Sequence, residues 1–284
     1  SVLRFFGHDK EFTTLDQLGN LPEITERIKN ALVETSGAML VTGPAGSGKS
    51  TTLYACLRHL VSSNNGSRSI VSIEDPIEVP VSGVAQSQVD LAAGFDLRTG
   101  LRSLMRQDPE VIMVGEIRDL DTAEFAIQAS LTGQLLIGTF HSDTSAAAIT
   151  RLIEMGIEPF LVRSGLISVV TQRLLRVLCD DCADKSTHEE DFCGLNIKDA
   201  RIPVGCKRCN QTGYSGRVII SEFLDLRDKN VGQAVLRRAD SRELYEIAVA
   251  GGMIPLYQQA VDLVAAGRTS PAEVWRVLGT AMKA

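Results

Sequence analysis

The segment at residues 43–51, GPAGSGKST, has the composition and spacing of a loop that holds phosphate groups. It matches the pattern G-x-x-x-x-G-K-S/T, in which glycines let backbone N–H groups turn around a nucleotide phosphate at the start of a helix. In such a loop the lysine reaches the terminal phosphates and the next hydroxyl binds Mg²⁺. The alternative is a glycine-rich turn with a chance lysine. The residues expected to hold the nucleotide are Gly43, Gly46, Ser47, Gly48, Lys49, Ser50 and Thr51.

Acidic side chains follow two apolar segments further along the chain. Glu116 comes just after residues 111–114, at the carboxyl end of a predicted strand, and we predict that it binds Mg²⁺ directly or through water. The segment IEDPIE at residues 73–78 clusters three carboxylates beside a proline. We predict that Glu78 polarises an attacking water and that Glu74 supports it. The alternatives are a solvated glutamate at a strand end and an ordinary acidic turn.

A histidine ends another apolar segment, LLIGTFH at residues 135–141. At a strand end beside a nucleotide, His141 would hydrogen-bond the γ-phosphate and respond to its loss on hydrolysis. A lone histidine is also often purely structural, and the residue pattern leaves both interpretations open.

Four of the six cysteines form two C-x-x-C pairs, Cys179 with Cys182 and Cys206 with Cys209. Residues 183–205 separate the pairs, a spacing slightly longer than is usual for zinc sites. Four thiolates in two knuckles would bind Zn²⁺ in a closed tetrahedral site with no position for water. We therefore predict structural zinc in a reducing compartment. Redox cysteines are the main alternative, and buried free thiols are a weaker one.

The elements that must position these residues alternate between strand and helix. Short apolar runs typical of parallel strands buried on both faces occur at residues 38–42, 70–73, 111–114 and 135–139. Helical patterns occur at residues 22–33, 49–61, 121–133, 145–156 and 159–178. Pro22 suits a first helical turn, Gly37 a helix end, and Asp121 an N-cap with Glu124 three positions later. This order predicts a doubly wound α/β core through about residue 175.

After the cysteine segment, residues 217–220 are predicted to form a strand and the remainder to residue 284 is helical in pattern. The two unpaired cysteines also have predicted places. Cys56 falls on the helix after the phosphate loop and is expected in the core, whereas Cys193 is expected to be a spare thiol that binds no metal.

Composition limits the classes of protein. The chain has 284 residues, 29 Lys and Arg against 35 Asp and Glu, and a net charge of −6. With 44% hydrophobic and 23% charged residues, a soluble protein with a packed core is expected in place of a disordered chain. No apolar run approaches the roughly 20 residues that span a bilayer. The acidic balance argues against general nucleic-acid binding. Without an initiator Met or signal peptide before Ser1, we expect a piece of a longer cytoplasmic protein.

Four segments resemble, in order and spacing, the ATPases of type II secretion and type IV pilus assembly. They are residues 43–51, 74–78, 104–119 and 131–141, which correspond to that family's Walker A, Asp box, Walker B and His box. The resemblance extends over nearly the whole chain. It implies a RecA-like, Mg²⁺-dependent motor that works as a hexamer and hydrolyses ATP.

The resemblance also implies roles for single residues. The Walker A residues bind phosphate and Mg²⁺. Glu78 is the Asp-box glutamate implicated in hydrolysis, and Glu116 is the Walker B glutamate. His141 is the second histidine of the His box. Gln134 stands where the first is usually found, so the role of that first histidine is not carried over, because glutamine does not titrate near neutral pH.

Together these observations predict an α/β fold: a RecA-like P-loop NTPase core with a zinc-binding four-cysteine insertion and a helical C-terminal subdomain. In this family, arginines that complete the site come largely from an N-terminal domain, so we expect nucleotide binding with poor hydrolysis. The predicted parts are residues 1–20, the tail of a mostly absent N-terminal domain plus linker; 21–178, the ATPase core; 179–215, the four-cysteine segment; and 216–284, the mainly helical subdomain.

The function predicted from the resemblance is ATP hydrolysis in a homo-hexameric ring that drives extrusion of a pilus or pseudopilus at the inner membrane. Expected partners are an inner-membrane platform protein and other secretion or pilus assembly components, with no nucleic acid. The expected location is cytoplasmic and peripheral to the inner membrane. The four-cysteine element favours an assembly or secretion motor over the alternative, a retraction or DNA-transfer motor. A nucleotide-dependent scaffold that does not hydrolyse ATP is the rival from another class.

Overall fold

The computed structural model describes residues 14–63 and 67–279 of the chain. The predicted tail of an N-terminal domain, near residues 3–6, lies outside this part. The chain forms two compact units, and it passes from one to the other three times. Unit 1 comprises Ser1–Thr171 and Phe223–Met253, and unit 2 comprises Gln172–Glu222 and Ile254–Ala284.

The described residues contain a seven-stranded sheet and a separate pair of strands. In the large sheet the order is β3-β2-β4-β5-β1-β6-β9. Strands β1 to β6 pair in parallel along this order, whereas β7 and β8 form an antiparallel pair in unit 2. The strands are β1 (Gly37–Thr42), β2 (Ile70–Glu74), β3 (Ala85–Gln88), β4 (Val111–Ile117), β5 (Leu135–Phe140), β6 (Leu166–Leu178), β7 (Asp184–Ser186), β8 (Ala200–Ile202) and β9 (Tyr214–Asp225).

Helices connect the strands of unit 1, and two of the helices belong to unit 2. None of those within the described ranges is both long and apolar enough to cross a membrane. The α-helices are α1 (Pro22–Val33), α2 (Lys49–Ser63), α3 (Leu97–Leu104), α4 (Leu120–Leu131), α5 (Ser145–Glu154), α6 (Pro159–Gly165), α7 (Lys229–Leu236), α8 (Ser241–Ala250), α9 (Leu256–Ala265) and α10 (Pro271–Leu278).

The sheet of unit 1 is buried on both faces. In β1, Met39 and Val41 pack with residues of α1 and α2, whereas Leu40 belongs to a second apolar cluster with residues of α4, α5 and α7. Successive side chains of a strand point to opposite faces, so a strand buried on both faces must be apolar throughout. The four strands predicted from continuous apolar runs are confirmed as β1, β2, β4 and β5.

The prediction that a helix extends from Pro159 to Leu178 is wrong. Helix α6 ends at Gly165, and the chain continues directly as β6. The segment contains Ile167, Val169 and Val170, whose β-branched side chains favour extended backbone. Its first part pairs in parallel with β1, so burial between neighbouring strands decides the conformation.

Two helix boundaries also differ from the predicted ones. Asp119, and not Asp121, caps α4, and its carboxylate accepts the N–H of Thr122 at 2.8 Å. Gly37 begins β1 instead of ending α1, which stops at Val33. Pro22 opens α1 as predicted.

A buried carboxylate connects β6 to α10 within unit 2. Glu273 is fully buried and accepts the backbone N–H of Arg176 at 2.9 Å. The guanidinium groups of Arg176 and Arg276 also donate to it, at 2.8 and 2.7 Å. Burial alone raises a carboxyl pKa, but these hydrogen bonds outweigh it and lower the pKa of Glu273 to about 2. Ionised Glu273 therefore joins the two elements.

Candidate functional site

The phosphate loop lies between β1 and α2, as predicted, and α2 begins at Lys49. Gly46 and Gly48 have φ values of +74° and +89°, which other residues rarely adopt, so glycine permits the tight turn at the helix N-terminus. Lys49 Nζ donates to the loop carbonyls of Gly43 at 2.9 Å and Pro44 at 3.0 Å. Lys49 is thus held over its own loop. Its ammonium group and the helix N-terminus suit an anion such as phosphate.

A cavity of about 480 Å³ opens beside this loop in unit 1. Its walls follow the ends of β2, β4, β5 and β1, which are neighbours in the sheet. The carboxyl ends of parallel strands meet at one edge, where ligands bind in open α/β sheets. The predicted site residues that line the cavity are Gly46, Lys49, Ser50, Glu74, Glu78, Glu116 and His141, whereas Gly43, Ser47, Gly48 and Thr51 do not line it.

Glu116 lies near the end of β4 and has two side-chain partners. Arg118 Nε donates to one carboxylate oxygen at 2.5 Å, and His141 Nε2 contacts the other. The Glu116 side chain is 21% exposed and reaches the cavity. The sequence reasoning did not single out Arg118, although a residue two positions later in an extended segment points to the same side.

His141 follows β5 and is 47% exposed at its side chain. Its backbone carbonyl accepts a hydrogen bond from Arg151 at 3.0 Å, so the residue is fixed from both ends. Gln134 does not line the cavity; it accepts a hydrogen bond from Thr132 at 2.8 Å. Gln134 precedes β5 and His141 follows it, so the two His-box positions lie at opposite ends of this strand.

Glu74 is 4% exposed and accepts three side-chain hydrogen bonds. Tyr54 of α2 donates to one carboxylate oxygen, while Ser72 at 2.6 Å and Gln86 at 2.9 Å donate to the other. Such donors offset the cost of burying a charge. Burial and the nearby carboxylate raise the pKa of Tyr54, so its hydroxyl stays protonated. Sequence reasoning missed Tyr54 and Gln86, because no local pattern links them to Glu74.

In unit 2 the four predicted cysteines come together. Their sulfur atoms all lie within 4.8 Å of one another. The Sγ–Sγ distances are 3.9 Å for Cys179 and Cys206, 3.8 Å for Cys182 and Cys209, and 3.7 Å for Cys206 and Cys209. A tetrahedral zinc site with Zn–S bonds of about 2.3 Å requires sulfur atoms about 3.8 Å apart. The distances therefore fit zinc, whereas a disulfide would need about 2 Å.

Backbone N–H groups point at two of these sulfur atoms. Gly205 donates to Cys182 at 3.3 Å, and Cys206 and Gly213 each donate to Cys209 at 3.2 Å. Burial raises the pKa of the Cys209 thiol, but these hydrogen bonds outweigh it and lower the value to about 6. Cys209 thus favours a thiolate, the form that binds metals.

The prediction for Cys56 is confirmed. Cys56 is fully buried in the apolar cluster with α1 and α2, and burial raises its pKa to about 12. Cys193 lies outside the four-cysteine cluster, and its sulfur is 3.9 Å from the carbonyl oxygen of Asp191.

A family model described as "Type II/IV secretion system protein" matches residues 1–276. The chain belongs to this family. Among curated relatives, the type II secretion system protein E of Aeromonas hydrophila is 42% identical over 282 residues, which cover 97% of this chain and 55% of that protein. The type IV pilus assembly ATPase TfpB of Acinetobacter baylyi is 42% identical over 286 residues, covering 98% and 48%. The chain thus spans about half the length of these family members.

Two solved structures share the fold of this chain. The pilus retraction motor PilT with bound ADP has a TM-score of 0.68 and 25% identity, covering 93% of this chain and 66% of that chain. The ATPase DotB of Legionella pneumophila has the same TM-score at 22% identity, covering 92% and 63%, which shows the α/β fold alone.

Proposed function

We propose that this chain is the ATP-hydrolysing part of a type II secretion or type IV pilus assembly motor. The observation that carries the proposal is the cavity of unit 1, whose walls combine residues from all four predicted segments. A glycine-rich loop with its lysine and several carboxylates around one cavity suit binding of a nucleotide with a divalent metal. The names of the relatives support the same reaction class.

Each candidate residue would have one task in this reaction. Lys49 would exchange its loop carbonyls for phosphate oxygens. Ser50 and Glu116 would hold Mg²⁺, which would screen the negative charge of the phosphates. Glu78 would orient the attacking water and accept its proton. His141 would leave Glu116 and donate to the terminal phosphate, so loss of that phosphate would restore the contact seen here.

Sequence identity favours a secretion or assembly motor over a retraction motor. The curated relatives named for type II secretion and pilus assembly are 42% identical to this chain, whereas the retraction motor PilT is 25% identical. The four-cysteine cluster also favours an assembly or secretion motor, because the resemblance associates this element with such motors. We also propose that six copies form a ring that acts on an inner-membrane platform protein. Adding nucleotide should then shift the mass measured by sedimentation from that of one chain toward that of six.

We propose that the four-cysteine cluster binds one structural Zn²⁺. Four identical ligands with sulfur–sulfur distances near 3.8 Å leave no open position for water. The metal would stabilise the segment between Cys179 and Cys209 and take no part in hydrolysis.

The decisive test compares nucleotide binding with phosphate release. For Glu78→Gln we expect ATP binding within about twofold of the wild type and phosphate release lowered by at least about 100-fold, the usual range for loss of a general base. Glu189→Gln is the control, because Glu189 is an exposed glutamate of unit 2. If the chain binds ATP and never releases phosphate even with the family's N-terminal domain restored, the scaffold function replaces this proposal.

A further inference from the structure

The loop at residues 75–81, which carries Glu78, is fixed by side chains from α2 and β3. Four of its backbone N–H groups donate to oxygen atoms of only three side chains. The pairs are Ile77 to Gln88 Oε1 at 3.2 Å, Glu78 to Tyr54 Oη at 2.9 Å, Val79 to Tyr54 Oη at 3.3 Å, and Val81 to Gln86 Oε1 at 2.6 Å.

The buried carboxylate of Glu74 determines the orientation of the Tyr54 hydroxyl and the Gln86 amide. Its two oxygens accept hydrogen bonds from Tyr54 and Gln86. Tyr54 therefore turns its proton toward Glu74 and leaves its lone pairs for the N–H groups of Glu78 and Val79. Gln86 likewise gives Nε2 to Glu74, which leaves Oε1 for the loop. The donors and acceptors form one consistent network, and burial strengthens each bond.

Tyr54 also joins two parts of the candidate site. It lies on α2, five residues after Lys49, and lines the same cavity. Its hydroxyl is the link between the helix that begins at the phosphate loop and the backbone of Glu78. Any shift of α2 on nucleotide binding would therefore move Glu78 directly.

We infer that Tyr54 is a positioning residue that sets the place of Glu78 through the backbone of the loop at residues 75–81. The inference rests on the proposed function, because it presumes that Glu78 orients the attacking water. Tyr54 would act through the loop backbone, and the network of Tyr54, Glu74 and Gln86 would hold the loop in the reactive geometry.

The variant Tyr54→Phe removes the hydroxyl and keeps the ring. A displacement of about 1 Å in a reacting group lowers rates by up to about 100-fold. We expect kcat for ATP hydrolysis to fall between about 10- and 100-fold while KM and the nucleotide Kd stay within about twofold. Tyr257→Phe is the matched control, since Tyr257 packs on the apolar cluster of unit 2. Equal kcat for Tyr54→Phe and wild type, or a change confined to Kd, would overturn the inference.

A double variant separates positioning from general loss of structure. If Tyr54 acts through Glu78, adding Tyr54→Phe to Glu78→Gln lowers the residual rate by less than about twofold. A further fall of the size seen in the wild-type background would show an independent effect and overturn the inference.

Backbone hydrogen exchange provides a readout that does not need turnover. In the chain without nucleotide, Tyr54→Phe should speed exchange of the N–H groups of Glu78 and Val79 at least about tenfold, with the phosphate loop unchanged. Unchanged exchange would overturn the inference. A wild-type chain with no turnover even when the family's N-terminal domain is restored would instead overturn the proposed function, so the two failures are distinguishable.

Discussion

The two candidate sites of this chain are built in opposite ways. The cysteine cluster takes four identical ligands from two short knuckles, and its sulfur atoms already have the spacing of a filled tetrahedron. The cavity of unit 1 collects different side chains from the ends of four strands and leaves about 480 Å³ open. A site that stabilises a fold can be closed, whereas a site that turns over a substrate must keep room for it.

The groups of the two sites also differ in their partners. In the cluster, N–H groups donate to the sulfur atoms and favour the charge state that binds metal. In the cavity, Lys49 is held by loop carbonyls and Glu116 by Arg118 and His141. A ligand of the cavity must displace these contacts. We therefore expect reversible binding there and persistent binding in the cluster.

Removal of cluster ligands should have the largest effect. For Cys179→Ser with Cys206→Ser we expect zinc per chain to fall from about one to near zero, because two sulfur ligands remain. Structural zinc contributes on the order of 10 kcal/mol in small zinc domains, so the melting of unit 2 should also shift to much lower temperature. Metal analysis and calorimetry measure both effects. Cys193→Ser is the control, and a folded wild type without metal would refute the assignment.

The variant Lys49→Ala changes the cavity of unit 1 and leaves the cysteine cluster intact. Loss of charged hydrogen bonds to phosphate should weaken nucleotide binding by about 10- to 100-fold, while zinc per chain stays unchanged. Fluorescent-nucleotide titration measures the affinity, and Lys185→Ala, a change of an exposed lysine in unit 2, is the control. Zinc loss in Lys49→Ala would contradict the separation of the two sites.

A third variant tests whether unit 2 depends on charge outside its cysteines. Glu273→Gln removes a buried carboxylate, and because the two arginines are half exposed and can be solvated, we expect a loss of about 2 kcal/mol at pH 7. The folded pKa of about 2 lies below the ordinary 4.5, so the stabilisation is full above pH 4.5 and is lost as pH falls toward 2. Denaturant unfolding of both chains should show the difference shrinking across that window; a constant difference would contradict it.

The smallest effect is expected at an exposed ion pair. Arg27 and Glu23 are one turn apart on α1, with N–O distance 2.7 Å, and both are exposed. Arg27→Ala should lower the free energy of unfolding by less than about 0.5 kcal/mol and change neither zinc content nor nucleotide affinity. Denaturant unfolding measures this loss. A loss above about 1 kcal/mol would contradict the expectation that this exposed ion pair contributes little to stability.

The sequence predicts those parts of the fold whose signal is local. Continuous apolar runs predicted β1, β2, β4 and β5, and residue spacing alone placed the phosphate loop and the cysteine pairs. The prediction of a helix at residues 166–178 was wrong because the apolar residues of this segment also fit a helical period. Pairing with β1, a contact between distant parts of the chain, decided for a strand.

The network around Glu74 could not be predicted for a related reason. Tyr54 lies 20 residues from Glu74 in the sequence, on a helix whose pattern shows only that one face is buried. Which hydroxyl meets which carboxylate depends on where α2 lies against the sheet. Sequence patterns identified Glu74 and Glu78 as candidates, but only the packed structure connects them.

The way the chain passes between its units has a consequence for synthesis. Helices α7 and α8 belong to unit 1, although they follow all four cysteines of the cluster. On a ribosome, the thiols that would capture zinc emerge before the last helices of unit 1. Metal capture would therefore precede completion of the unit with the cavity, and a chain stalled before Met253 would carry the four-cysteine cluster without a complete unit 1.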